Sequence, residues 1–489
     1  MNLDPFTPVL VGVAQILQRP EDPAQAVEPL ALMEQALRQA LADSGGAPLD
    51  TQLDYVGVVR GAWKYSDPGR LLAERLGVNA KSGMSPNGGN TPQAYVNAIS
   101  ARIAAGEISA GAIVGAETIW SRRRQRRAGV HVPTTEQVDV SPDEHFGEDV
   151  PMTNTFEHSR GVEAPIHFYP IFESAIRAAR GETLDQHRDR VAELWSRFNQ
   201  VAVNNPYAWS RQAMTADEIR NPSETNRMVG FPYTKAMNSN WDLDQAAALV
   251  LCSAQVAEAA GIPRDKWVFP WAGTEAHDTY AVSNRNNLHS SPAIEACGQE
   301  LFSLTGLSPD TINHIDIYSC FPSAVQVSAT ALGISHDRQL TQTGGLTFAG
   351  GPLNNYVTHS IATMADRLRQ DPGARGLVTA NGGFLTKHAL GIYSTEPSPT
   401  PFSVSNVQNE VDQVPSTPLD EAYAGAVEIE AYTVMHNREG PEAGFCAVRT
   451  PDGARSWGKV NDPTTLGTMI VEEAIGQGAQ LAADGALTL

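Results

Sequence analysis

Asn87-Gly-Gly-Asn-Thr-Pro-Gln93 opens a helix that runs through Ile99 and Ile103 to Gly106, and the strand Gly111-Ala-Ile-Val-Gly-Ala-Glu117 follows it. Gly350-Gly-Pro-Leu-Asn-Asn-Tyr356 opens a second helix through Ile361, Met364 and Leu368, followed by the strand Gly376-Leu-Val-Thr-Ala-Asn-Gly-Gly383. Both stretches read as a Gly/Asn loop, a helix, a strand and a small-residue loop, about 260 residues apart. A duplicated α/β half is the simplest source of such a pattern.

The surrounding segments fit that reading. Pro8-Val-Leu-Val-Gly-Val-Ala14 is an apolar, β-branched run of the kind that forms a short buried strand. Residues 29–44 carry helical spacing at Leu30, Leu32, Met33, Ala36, Leu37 and Leu41, and Asp54-Tyr-Val-Gly-Val-Val59 is a second strand. Strand, helix and strand in succession point to an α/β fold with a largely parallel sheet. Residues 118–230 break the pattern with the basic run Arg122-Arg-Arg-Gln-Arg-Arg127, several His and Pro, and a helical stretch from Leu184 to Val203. They read as an insertion. We therefore divide the chain into an N-terminal half at 1–260, a C-terminal half at 261–400, and a Ser/Pro/Thr-rich linker over 393–420. A small all-β unit at 415–489 follows, where Ala426-Val-Glu-Ile-Glu-Ala-Tyr-Thr-Val-Met435 alternates with period two and Asn437–Gly440 and Pro451–Gly453 mark turns.

Composition narrows the function. The 489 residues, 42% hydrophobic and 18% charged, are those of a globular chain. A formal net charge of -20 disfavours a nucleic-acid partner, since phosphate contacts need a basic face. The terminal unit repeats the argument, with four Lys/Arg against eleven Asp/Glu over 415–489. Cys252, Cys297, Cys320 and Cys446 form no CxxC, which suggests reduced thiols and a cytoplasmic protein. No apolar run reaches a membrane span, and an acid precedes the first apolar run where a signal peptide would carry basic residues. His158, His167 and His187 lack zinc-ligand spacing, so no metal is expected.

Several segments resemble the thiolase superfamily. Asn240-Trp-Asp-Leu-Asp-Gln-Ala-Ala-Ala-Leu-Val-Leu251 is similar to the strand that ends the first half of thiolases, and residues 104–117 to their helix-to-strand passage after the nucleophile. Ile315-Asp-Ile-Tyr-Ser-Cys-Phe321 resembles the H-D-C-F segment of sterol-carrier-type thiolases, and the tail resembles the OB-like domain appended to type-1 thiolase-like proteins. The resemblance implies the duplicated five-layered α/β thiolase fold and a homodimer paired through central strands. It also implies a CoA-dependent acyltransferase of the acetyl-CoA acetyltransferase kind, active in lipid metabolism. Such an enzyme makes or cleaves a C–C bond beside a thioester or β-keto group, with coenzyme A or acyl-CoA as substrate and no bound cofactor.

The departures concern the chemistry. Thiolases place a nucleophilic Cys at the N-terminus of the first repeat's helix, where dipole and N–H groups favour a thiolate; here that position falls at about Gly88. Tyr318 and Ser319 replace the His and Asp of H-D-C-F, the G-H-P loop becomes Gly351-Pro-Leu-Asn-Asn-Tyr-Val-Thr-His359, and the second Cys becomes Ala380. The remaining nucleophile is Cys320, with His359 or His388 as its base, because a thiol beside an imidazole is the minimum for acyl transfer. Asn90, Asn354, Asn355 and Asn381 are expected to donate hydrogen bonds to a developing oxyanion. Tyr318, Ser319 and Lys387 are expected to line the substrate pocket, and Arg122, Arg123 and Arg124 to meet the CoA phosphates. The alternative is a non-catalytic acyl-CoA-binding scaffold or partner subunit.

Overall fold

The computed structural model describes residues 3–47, 49 and 52–489. In the first half the strands are β1 (Pro8–Leu17), β2 (Tyr55–Val58), β3 (Lys81–Met84), β4 (Ala110–Thr118) and β5 (Glu144–His145). The short hairpin β6 (Met228–Gly230) and β7 (Tyr233–Thr234) precedes the long β8 (Asp244–Ser253). These form a sheet in the order β1-β8-β4-β2-β3-β5, leaving β6 and β7 outside it. The second half adds β9 (Phe269–His277), β10 (His314–Asp316), β11 (Arg375–Gly382), β12 (Lys387–Ser394) and β13 (Ser403–Asn406), in the order β10-β11-β12-β9-β13.

The two sheets repeat one another. β1, β8, β4 and β2 follow the same antiparallel, antiparallel, parallel sequence of pairings as β9, β12, β11 and β10. Thr91–Ala104 precedes β4 as Tyr356–Gln370 precedes β11. These two helices lie between the sheets, and Thr91–Ala104 touches strands of both. Pro29–Asp43 covers the outer face of the first sheet and Pro292–Thr305 that of the second. The result is five layers, helix, sheet, helix, sheet, helix.

Sandwiching explains the sequence. Every residue of β4 and of β8 is buried, so both read as continuous apolar or small-residue runs rather than alternating ones. Thr91–Ala104 buries Tyr95, Val96, Ile99 and Ile103 together with the polar Gln93 and Asn97. Those amides are satisfied by a ladder reaching the second sheet: Gln93 donates to Asn97 at 2.9 Å, Asn97 to Glu275 at 3.0 Å, and Tyr393 to Gln93 at 2.8 Å. Glycine at 273 and 391 makes the room, since a Cβ there would stand 2.2 Å and 2.3 Å from the amide atoms.

Residues 119–228 supply helices, among them Pro165–Arg180 and Leu184–Asn204, and the edge strand β5. The third sheet comprises β14 (Gly425–His436), β15 (Pro441–Arg449), β16 (Arg455–Val460), β17 (Gly478–Leu481) and β18 (Leu487–Thr488), with one short helix, Pro463–Met469. It is docked on the body. Gly230 of β6 pairs with Met435 of β14, and Pro165–Arg180 packs on β14. Arg455, fully buried, grips Glu430 at 2.7 Å and the carbonyls of Ser283 and Arg285 at 2.8 and 2.6 Å.

The expected linker over 393–420 is corrected in part. β12 continues to Ser394, and Ser403–Asn406 pairs in parallel with β9 as an edge strand. Half-exposed alternation on four polar or small residues leaves a strand that composition alone reads as loop.

Candidate functional site

The loops ahead of the two central helices meet. Gly88 is held by Thr91, whose N–H and hydroxyl both donate to the Gly88 carbonyl at 3.1 and 2.9 Å. The Gly88 N–H donates to the Asn354 side chain at 3.0 Å, and Asn354 donates in turn to the Arg60 carbonyl at 2.8 Å. Asn355, expected as an oxyanion donor, is committed to structure: its amide donates to Gly115 O at 2.8 Å and accepts from the Thr358 hydroxyl at 2.7 Å.

The N-terminus of Thr91–Ala104 is occupied by side chains from the second half. A Cβ on Gly88 would stand 2.4 Å from Asn90 Oδ1 and 2.9 Å from Lys387 Nζ. One on Gly89 would stand 2.4 Å from the Tyr318 hydroxyl oxygen and 2.5 Å from Asn381 O. Gly88 also has φ +153, where a side chain is strained. Lys387 and Tyr318 thus leave no room for a side chain at Gly88 and Gly89.

Lys387 is buried and donates to Asn87 O at 2.5 Å. Desolvation lowers its pKa, opposed by the charge of Asp149. Two acceptors of this cluster, Asn90 Oδ1 and Asn381 Oδ1, are buried without a hydrogen-bond partner. Asn381 Nδ2 reaches the Tyr169 hydroxyl at 3.1 Å and Cys320 Sγ at 3.9 Å. Asn90, Tyr318, Asn381, Lys387 and Cys320 therefore gather around the Gly88–Gly89 turn.

The pairing of Cys320 with an imidazole does not survive. Burial pushes the Cys320 thiol up to about 12, and its side-chain partners are Tyr169 and Asn381. His359 Nδ1 meets Gln15 Oε1 at 3.0 Å, its Nε2 is buried without a partner, and burial pulls it down to about 3. His388 Nε2 lies 3.3 Å from Asp278 and 3.5 Å from the Ser291 hydroxyl. The cause is parity and pitch: on β12, Lys387 faces the Gly88 loop, so His388 faces the other side, beneath Pro292–Thr305. His359 lies within Tyr356–Gln370 and turns towards β1. Ser319 is fully buried beside Gly345 with its hydroxyl unpartnered.

The arginine run also differs from expectation. It lies on the helix Ile119–Ala128, where its first three members bind their own chain. Arg122 donates to Ala62 O at 2.9 Å, Arg123 pairs with Asp242 at 2.6 Å, and Arg124 donates to Pro20 O at 2.6 Å over the Trp120 ring.

Two residues were invisible to sequence reasoning. Tyr169 comes from the insertion helix Pro165–Arg180, and nothing local marks it. Its hydroxyl accepts from Leu385 N at 3.0 Å and donates to Gly383 O at 3.2 Å, so it ties the insertion to the loop after Asn381. Glu117, next to last in β4, has 1% exposure. Ala62 N–H donates to it at 2.7 Å, Arg122 stands 3.8 Å away, and burial raises its carboxyl to about 7. A charged residue closing an apolar strand was the available signal. Among the described residues no group of three or more His, Cys, Asp or Glu is placed to hold a metal. No described helix is long and apolar enough to cross a membrane.

Residues 406–486 match the family described as the thiolase-like protein type 1 additional C-terminal domain. The chain is similar over its whole length to a monomeric SCP2-thiolase-like protein type 1 from Mycobacterium smegmatis, with 28% identity, TM-score 0.85 and both chains fully covered. It shares 22% identity with an acetyl-CoA acetyltransferase of Methanocaldococcus jannaschii, covering 67% of this chain and 92% of the relative. The dimeric peroxisomal thiolase of Saccharomyces cerevisiae shares the fold, at 14% identity and TM-score 0.57 over 81% of this chain and 99% of that one. The mirrored sheets, the buried helix pair between them and the matched terminal domain support a relation of this chain to the thiolase superfamily.

Proposed function

We propose that this chain handles an acyl-CoA or β-keto acyl thioester at the Gly88 loop and carries out C–C bond chemistry there without an acyl-cysteine intermediate. The observation that carries this reading is the Lys387 amine at the place of the missing nucleophile, its pKa lowered by burial. In the cleavage direction neutral Lys387 takes the proton of the CoA thiol, and the thiolate attacks the β-keto carbon directly. The bond between the α and β carbons breaks, its electron pair becomes the enolate of the departing acyl-CoA, and protonated Lys387 returns the proton to the α carbon. Atoms and charge balance with no acylated side chain. The N-terminal dipole of Thr91–Ala104 favours the enolate oxygen. The test is loss of β-ketoacyl-CoA in the presence of CoA. Turnover that persists in Cys320→Ala and collapses in Lys387→Met supports the reading; the reverse pattern defeats it.

The second reading is a non-catalytic acyl-CoA-binding scaffold, favoured by the packing of Tyr318 against Gly89. Tight thioester binding by calorimetry with no turnover of any acyl-CoA selects it.

For the assembly we propose a monomer in place of the expected homodimer. β3, whose free edge a partner sheet would extend, is already covered by β5, secured by Arg102 on Glu144 at 2.6 Å. The similar mycobacterial protein is described as monomeric. Four buried free cysteines suit a reducing compartment, and we place the protein in the cytoplasm.

A further inference from the structure

A groove of about 510 Å³ opens where the insertion meets the C-terminal sheet, far in sequence from the Gly88 loop. Three guanidinium groups line it, from Arg188, Arg227 and Arg438, above an apolar floor that includes Met228, Phe231 and Val471. Val471 is 71% exposed.

The arginines are poorly neutralised. Arg227 donates only to the carbonyls of Met228 and His436, at 2.9 and 3.3 Å. Arg188 has a single carboxylate, Asp185, at 3.9 Å, and Arg220 claims that carboxylate at 2.7 Å. The Arg188 Nε is buried without a partner. Arg438 sits on the exposed turn after β14 and makes no ion pair among the described residues. Glu439 is the single carboxylate of the lining. The local potential is positive: Arg220 helps to lower the pKa of Arg188, and Arg227 that of His436, in each case after burial. In a chain of net charge -20, such a patch is a local exception.

We propose that this groove binds an anionic amphiphile, a carboxylate-headed aliphatic chain whose head meets the arginines and whose chain lies along Met228, Phe231 and Val471. Its volume falls in the range of small-molecule sites. Planar guanidinium groups suit a carboxylate in paired hydrogen bonds. The site is independent of the thioester chemistry proposed above.

Carboxyl-labelled dodecanoate, kept below its critical micelle concentration, is titrated into the full chain and followed by carbon NMR and calorimetry. Saturable binding is expected, weakened about tenfold or more in Arg227→Ala/Arg438→Ala and in Arg438→Glu alone. Uncharged dodecanol should bind correspondingly more weakly, and Lys387→Met should leave dodecanoate binding unchanged. The proposal is overturned by absence of saturation, by equal affinity for dodecanol, or by unaltered binding in either arginine variant. It is also overturned if a glutamate-rich peptide binds the groove more tightly than dodecanoate does, which would make the site a protein-docking surface. Arg227 and Arg438 are exposed, so both variants should melt like the parent.

Discussion

At Gly88 the absence of a side chain is a packing requirement. Restoring a cysteine there places its Cβ 2.4 Å from Asn90 Oδ1 and against Lys387, on a backbone of φ +153. Gly88→Cys should therefore destabilise the chain by about 1–3 kcal/mol in denaturant unfolding and yield no acyl-enzyme. Cys320, pushed up to about 12, should resist iodoacetamide at pH 8 until the protein unfolds. Two titrations act in opposite directions. Glu117 keeps its proton to about 7 when folded against 4.5 when unfolded, so the folded state binds more protons in that window and stability falls as pH rises through it. Glu117→Gln should accordingly gain about 3 kcal/mol on the parent at pH 8 relative to pH 4.5. His359 is held near 3 against 6.5, so the unfolded state binds the extra proton and stability falls as pH drops from 6.5 towards 3. His359→Gln should flatten the acid limb by about 1.4 kcal/mol per pH unit.

At the scale of elements, the duplicated loop, helix and strand was legible because each half must satisfy the same layers. Residues 87–117 and 350–383 carry that requirement in their glycine placement and apolar runs. Side-chain direction was less so. Lys387 and His388 are adjacent in sequence, yet β12 sends them to opposite faces, one to Gly88 and the other to Asp278. Contacts made by the insertion were not legible at all. Tyr169 meets Asn381 from 212 positions away, and no local pattern encodes that distance. The C-terminal sheet offers a sharp test of docking. Arg455 has no exposure and joins Glu430 to carbonyls of the segment 283–285. Arg455→Met leaves Glu430 and those carbonyls short of a donor inside the interface. We expect a loss of about 3–5 kcal/mol in thermal or denaturant unfolding, read by both near- and far-UV circular dichroism.

For the whole molecule, the architecture is that of the thiolase fold, and its reacting centre, as proposed, works without an acyl-cysteine. Its five layers keep the helix N-terminus that favours an enolate. Around it stand Gly88 and Gly89, Tyr318, Lys387, Asn90 and Asn381. The resemblance to thiolases led us to expect a glycine at the nucleophile position, and the packed structure shows Lys387 and Tyr318 beside Gly88 and Gly89. The covered edge at β3 also predicts a single 52.5 kDa species by light scattering across micromolar concentrations, where a dimer would contradict the reading of β5. The central claim is tested most directly by thiolysis of acetoacetyl-CoA with free CoA, comparing the parent with Cys320→Ala and Lys387→Met and reading the intact mass of each protein during turnover. We predict that Cys320→Ala retains the parent rate within about threefold, that Lys387→Met loses about a hundredfold or more, and that no acetyl adduct accumulates. Loss of activity in Cys320→Ala together with an acetyl adduct on the parent would contradict it.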